Sequence, residues 1–212
     1  VLDVGDNGRF GTGGLNSVSG TITGGSIVSS NASPVLTLSN ATLDAVTLGG
    51  TATVGGVPTF LGTLTVNGNT SITNGLGLAN GAVITRNNAS WSVGTTGVQH
   101  ISTPGSATLV NNGGSITAGS GVFGQTLQFD AGVTLSGFTN LSGANGAGIV
   151  NAGTISVSGG TSTINPPTFT NSGTLEALSG GTVNLTPSTS WTNSGNLKAN
   201  GGTLSLSGPT ST

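Results

Sequence analysis

The chain has 212 residues, 4% charged and 4% aromatic, with 40 glycines and a formal net charge of −2. So little charge excludes long-range attraction to nucleic acid or anionic lipid as the main activity. No run approaches the roughly 20 apolar residues of a membrane helix, so membrane insertion is not expected. Compositional disorder goes with high net charge and few β-branched residues, whereas Val, Ile and Thr are plentiful here.

In chain order, "VLDVGDNGRF" opens on an apolar strand from Val1, which reads as the start of a processed product or a fragment. It gathers Asp3, Asp6 and Arg9, three of the eight Lys, Arg, Asp and Glu residues. Next come "GTITGGSIV", "PVLTLSNATLDAVTLGGTATVGG" and "GTLTVNGNTSITNG", which alternate apolar and polar residues between Gly or Asn turns. Alternation with period two marks half-buried strands, and no window carries the spacing of a helix. Residues 1–104 read as irregular coils and residues 105–212 as regular ones, within one continuous domain.

The regular part repeats one phrase. "IVNAG", "FTNSG" and "WTNSG" place Asn151, Asn171 and Asn193 at separations of 20 and 22 residues. A looser copy, "LVNNGGSIT", puts Asn111 two periods before Asn151, and "GQTLQFDAGVTLSGFTNLSG" supplies a degraded copy between them. After each Asn the apolar positions alternate, as in Ile155 and Val157 or Leu175 and Ala177. A Gly-Gly pair then breaks the strand, supplying the positive φ that a corner needs. The middle copy has one extra residue before its pair, which a bulge or loop absorbs. The C-terminal "GGTLSLSGPTST" is a full-strength strand and a short tail in which Pro209 interrupts pairing.

Fixed-period self-similarity points to a solenoid, in which equivalent positions stack from turn to turn. The expectation is an all-β parallel β-helix of about ten coils, each rising about 4.8 Å, in a rod near 50 Å long. The alternative is a β-sandwich completed by strand donation. In the solenoid, Asn151, Asn171 and Asn193 form a hydrogen-bonded stack, with Phe169 and Trp191 as a second ladder. The plainer alternative makes these asparagines turn residues.

The "x-N-x-G-x-Φ-x-Φ" strings with Gly-Gly corners resemble the repeats of bacterial haemagglutinin-like and autotransporter-type surface proteins, best over residues 105–208. That resemblance implies a right-handed parallel β-helix, secretion, and a role in adhesion or an extracellular fibre.

Reactive groups are few: Asp3, Asp6, Asp44, Asp130 and Glu176 are the acids, and Arg9, Arg86, Lys198 and His100 the bases. Asp44 and Asp130 are 86 residues apart, near four periods. Even on one face they stand about 19 Å apart along the axis, beyond the spacing of a glycosidase pair. Asp3 and Asp6 lack the later ligands of a calcium loop, and His100 is alone. The Thr-x-Thr pairs (Thr21/Thr23, Thr51/Thr53, Thr63/Thr65, Thr161/Thr163) do not recur at one phase, as an ice-binding array requires, and read as β-propensity. The sequence therefore offers no catalytic, metal or cofactor residues.

What remains is the pair of ends. A solenoid without caps exposes strand edges that recruit other strands. The expectation is a secreted structural protein, a self-assembling subunit or segment of an extracellular filament or surface layer, with copies of itself as partner. Lys198 would meet Asp3 or Asp6 across the subunit junction. The alternative is an adhesin or carbohydrate-binding stalk at the cell surface, with surface glycans as partner.

Overall fold

Among the described residues the alternation is realised as 27 strands, all but two of them five residues or fewer. In the computed structural model residues 1–5, 14–28, 36–50, 52–119 and 123–210 are described, and no helix occurs among them. Each coil lays one strand on each of three faces. The eighth coil, for example, places Thr154–Val157 on face 1, Thr161–Asn165 on face 2 and Thr168–Asn171 on face 3. Each strand pairs in parallel with its equivalent one turn away, as Thr154–Val157 does with Thr174–Leu178. A sandwich of hairpins would pair neighbouring strands antiparallel. The fold is therefore a parallel β-solenoid.

Face 3 is a nine-stranded sheet. Faces 1 and 2 merge into one 18-stranded sheet, because Ala107–Ala118 and Val133–Gly143 run through the corner between them. The described residues make nine complete turns plus two strands of a tenth, Asn196–Asn200 and Thr203–Leu206. At about 4.8 Å per step, the first and tenth coils lie about 43 Å apart. The stack passes residues 104 and 105 without a break, since Val83–Asn87 and Trp91–Val93 both pair with Ala107–Ala118.

Period-two alternation sends every second side chain inward, and parallel pairing stacks those side chains in columns. On face 1, Leu64, Ile84, Leu109, Leu135, Ile155 and Leu175 lie one above another. All six are buried, and each such side chain contributes about 1.5–3 kcal/mol by leaving water. Turn length varies from 16 residues (Leu36 to Ala52) to 28 (Val98 to Thr126) while the columns keep their register. The corners absorb the difference. The copies with the most similar sequence are those with the most uniform turns, Asn151 to Asn171 to Asn193.

The two glycines of each Gly-Gly corner have different tasks. Gly159, Gly180 and Gly201 take φ of 67°, 74° and 78°, the left-handed region that costs other residues about 1–2 kcal/mol. The second glycine is needed for space: a Cβ on Gly181 would stand 2.1 Å from the Val157 carbonyl oxygen. The glycine two residues after each repeat Asn is also sterically required. A Cβ on Gly173 would stand 2.0 Å from the Gly153 oxygen, and one on Gly195 2.0 Å from the Gly173 oxygen. Backbone stacks directly on backbone at this corner, between faces 3 and 1.

Candidate functional site

Face 3 directs the repeat asparagines inward. Asn151 Nδ2 donates to Asn171 Oδ1 at 2.7 Å, and Asn171 Nδ2 donates to Asn193 Oδ1 at 2.7 Å. The same amides also donate to backbone carbonyls one turn on, Asn151 to Thr174 at 2.9 Å and Asn171 to Asn196 at 3.2 Å. Asn151 and Asn171 are fully buried. The Asn151 and Asn171 amides both donate toward the C-terminal end, and Asn193 Nδ2 donates to the Gly195 carbonyl of its own coil at 3.1 Å. At the other end, Asn151 Oδ1 has no partner and Phe129 occupies the position below. Phe169 and Trp191 stack in the neighbouring inward column.

Two details of the sequence reading change. Asn111 is not in the phase of Asn151: it lies on face 1, paired with Gly137, while the column of Asn151 continues through Phe129 and Ile101. The longer turns of this region break a count based on a period of 20 to 22. Asparagine also serves in turns, at positive φ in Asn40, Asn88 and Asn145. A further amide ladder runs outside face 1, from Asn112 to Asn87 to Asn67, each bond 2.9 Å. The signal for it, an Asn at one register position of successive face-1 coils, spans the 104/105 boundary, where turn lengths differ. The Thr-x-Thr pairs fall on different faces: Thr21/Thr23 on face 3, Thr63/Thr65 on face 1 and Thr161/Thr163 on face 2. Thr51 lies outside the described residues.

The tenth coil is the most exposed part of the interior. Its inward residues Leu197 and Leu204 are half-buried, and Leu206 is 41% exposed. One coil below, Leu175, Val183 and Leu185 are fully buried. Among the described residues no strand pairs with the outer edge of Asn196–Asn200 or Thr203–Leu206. On face 3 the tail begins to continue the stack: the Trp191 N–H donates to the Pro209 carbonyl at 3.0 Å, and Trp191 and Thr210 form a parallel bridge. Proline has no N–H, yet its carbonyl accepts this bond.

Lys198 and Asp3 lie on strands at opposite ends of face 1. Within the chain, the register neighbour of Lys198 is Glu176, whose carboxylate accepts a hydrogen bond from Ser156 Oγ at 2.8 Å. Asp6 and Arg9 lie outside the described residues. Asp44 lies on face 3, and Asp130 directly follows the face-3 strand Thr126–Phe129 four turns on. Asp130 accepts hydrogen bonds from Gln128 at 2.8 Å and pairs with His100 at 2.8 Å, so His100 has a partner. No group of three or more metal-ligating His, Cys, Asp or Glu occurs among the described residues.

Arg86 is the residue whose place the sequence reading missed. It is fully buried in the fifth coil, with its guanidinium 4.7 Å from the centre of the Trp91 ring. Desolvation pushes its pKa down to about 9, which leaves it cationic at neutral pH. It donates to Asn111 Oδ1, to the carbonyls of Ala89 and Ser115, and to Thr139 Oγ1 at 3.5 Å.

Together the parallel register, inward columns and glycine corners define a β-solenoid whose inward columns lose their cover at the tenth coil, where Leu206 is exposed. Comparison with protein-family models, with curated proteins and with solved structures finds no match.

Proposed function

We propose that the protein is a secreted structural protein that builds an extracellular filament or surface layer by end-to-end pairing of solenoid ends. The observation that carries this reading is the tenth coil, whose outer strand edges are paired by no described strand and whose Leu206 is exposed. Such an edge is a template for another strand, and only weak charge repulsion opposes association at a net charge of −2. The sequence resemblance to haemagglutinin-like and autotransporter-type repeats agrees with an extracellular location.

Continuing the face-1 columns across a head-to-tail junction would set Leu2 of a second copy over Ala199 and its Asp3 over Asn200. Lys198 would then be the diagonal neighbour of that carboxylate. An exposed pair of this kind is worth about 0–1 kcal/mol, so it sets register more than affinity. Electron microscopy of the 212-residue chain is expected to show filaments with a repeat near the rod length. Leu206→Asp should leave isolated rods with unchanged β content, by placing a charge in the junction. Lys198→Glu should weaken assembly and reverse its salt response. Rods that never associate, or a Leu206→Asp variant that polymerises like the parent, would end this reading.

The second reading is a glycan-binding stalk segment of a larger surface protein. Phe123, 82% exposed ahead of Thr126–Phe129, gives it an aromatic surface for a sugar ring. A glycan array with parent and Phe123→Ala separates the two readings.

A further inference from the structure

The interior of a β-solenoid has a register problem. A one-residue slip turns every side chain to the wrong face, but a two-residue slip preserves the inward and outward pattern. Here the inward columns are largely interchangeable Leu, Ile, Val and Ala, so apolar burial distinguishes poorly between the native pairing and a two-residue slip. The problem is greatest in the middle of the rod. From Arg86 to Asn111 to Gly137 the turns are 25 and 26 residues long, against 20 from Gly137 to Val157. There too the corner between faces 1 and 2 lies within continuous strands.

We infer that Arg86 is a register lock for coils five to seven. Its hydrogen bonds reach Ala89 in its own coil, Asn111 and Ser115 in the sixth, and Thr139 in the seventh. Thr139 in turn donates to the Gly114 carbonyl at 3.2 Å. The partners Ala89, Gly114 and Ser115 belong to the corner between faces 1 and 2, where backbone carbonyls turn away from the sheet ladders. One planar fork thus fixes two steps of the stack at once. A two-residue slip of the fifth coil would set Arg86 against Leu109 or Gly113 and leave a buried cation without its acceptors, a far larger penalty than exchanging one aliphatic residue for another.

The lock is inferred to act on specificity rather than on stability. No carboxylate pairs with Arg86, its Nε is unpartnered, and the Nε1 of Trp91 beneath it is unpartnered as well. Replacing a buried charged cluster by apolar residues is often neutral or stabilising. The same column holds Val66 below Arg86 and Val157 above Gly137, so an apolar pair suits it. In coils seven to nine the Asn151–Asn171–Asn193 ladder does the equivalent task.

The chain has no cysteine, so register can be read by introduced pairs. Thr85 and Val110 lie directly opposite each other on the outer side of face 1, and Thr85 and Thr108 become opposite only after a two-residue slip. Each cysteine pair is refolded under oxidising conditions in three backgrounds: parent, Arg86→Met with Asn111→Val, and Arg86→Lys. The parent should cross-link only the native pair. The apolar double variant should keep its β content and melting temperature, yet raise the yield of the slipped cross-link about tenfold. Arg86→Lys keeps the charge but loses the fork, and should also slip. If the double variant does not fold, Arg86→Lys decides alone. Exclusively native cross-linking in every variant that folds would overturn the inference.

Discussion

Gly173→Ala is expected to destabilise the rod by about 3 kcal/mol or more, at the upper end of what overpacking costs. The added methyl would stand 2.0 Å from the Gly153 oxygen and 2.7 Å from the Ala152 carbonyl carbon. These neighbours are backbone, held by the ladders of faces 3 and 1, so no side chain can swing aside. Gly159→Ala is the matched control. Gly159 has φ 67° and no atom within 4 Å of the added methyl, so only the backbone conformation is penalised, at about 1–2 kcal/mol. Chemical denaturation of the two variants measures the difference. Equal losses would show that the corner relaxes and that the close stack is not rigid.

The second large effect is expected at Asn171. Asn171→Ala removes the amide that accepts from Asn151 and donates to Asn193 and to the Asn196 carbonyl. With each bond worth about 1 kcal/mol and buried partners left unsatisfied, the loss should be about 3–4 kcal/mol. Asn193→Ala, at the exposed end of the stack, should cost under about 1 kcal/mol by the same reasoning. Asn171→Asp carries a pH signature. One carboxylate oxygen can accept from Asn151, but the other would face Asn193 Oδ1 and the Asn196 carbonyl, both acceptors. The ionised form is disfavoured in the fold, which raises the folded pKa above the unfolded value of about 3.9. Stability is then fully present below about pH 4 and falls as pH rises through the folded pKa. Thermal melts at pH 3 and pH 7 test this: equal deficits at both would contradict a buried, directional ladder.

The parts of the fold legible in the sequence were those where turn length is constant. From Ile149 to Leu206 the separations are even, so alternation, Gly-Gly corners and the Asn column can be counted along the chain. In coils five to seven the corners lengthen, counting fails, and Asn111 falls on a different face from Asn151. Arg86 was visible only as one of four basic residues, although alternation from Ile84 already sends position 86 inward. The space requirement at Gly173 has no local signal, because it depends on a backbone one turn away.

Coils of unequal length on shared columns also have a mechanical consequence. The described first and last strands lie at opposite ends of the rod, and the hydrogen bonds between coils run along its axis. A pull along that axis loads the outermost coil first, and each coil contacts only its neighbours. Extension would then proceed by peeling one turn at a time, each releasing a length set by its own residue count. A rod about 43 Å long stores a chain that spans roughly 700 Å when drawn out, an elastic reserve of about sixteenfold.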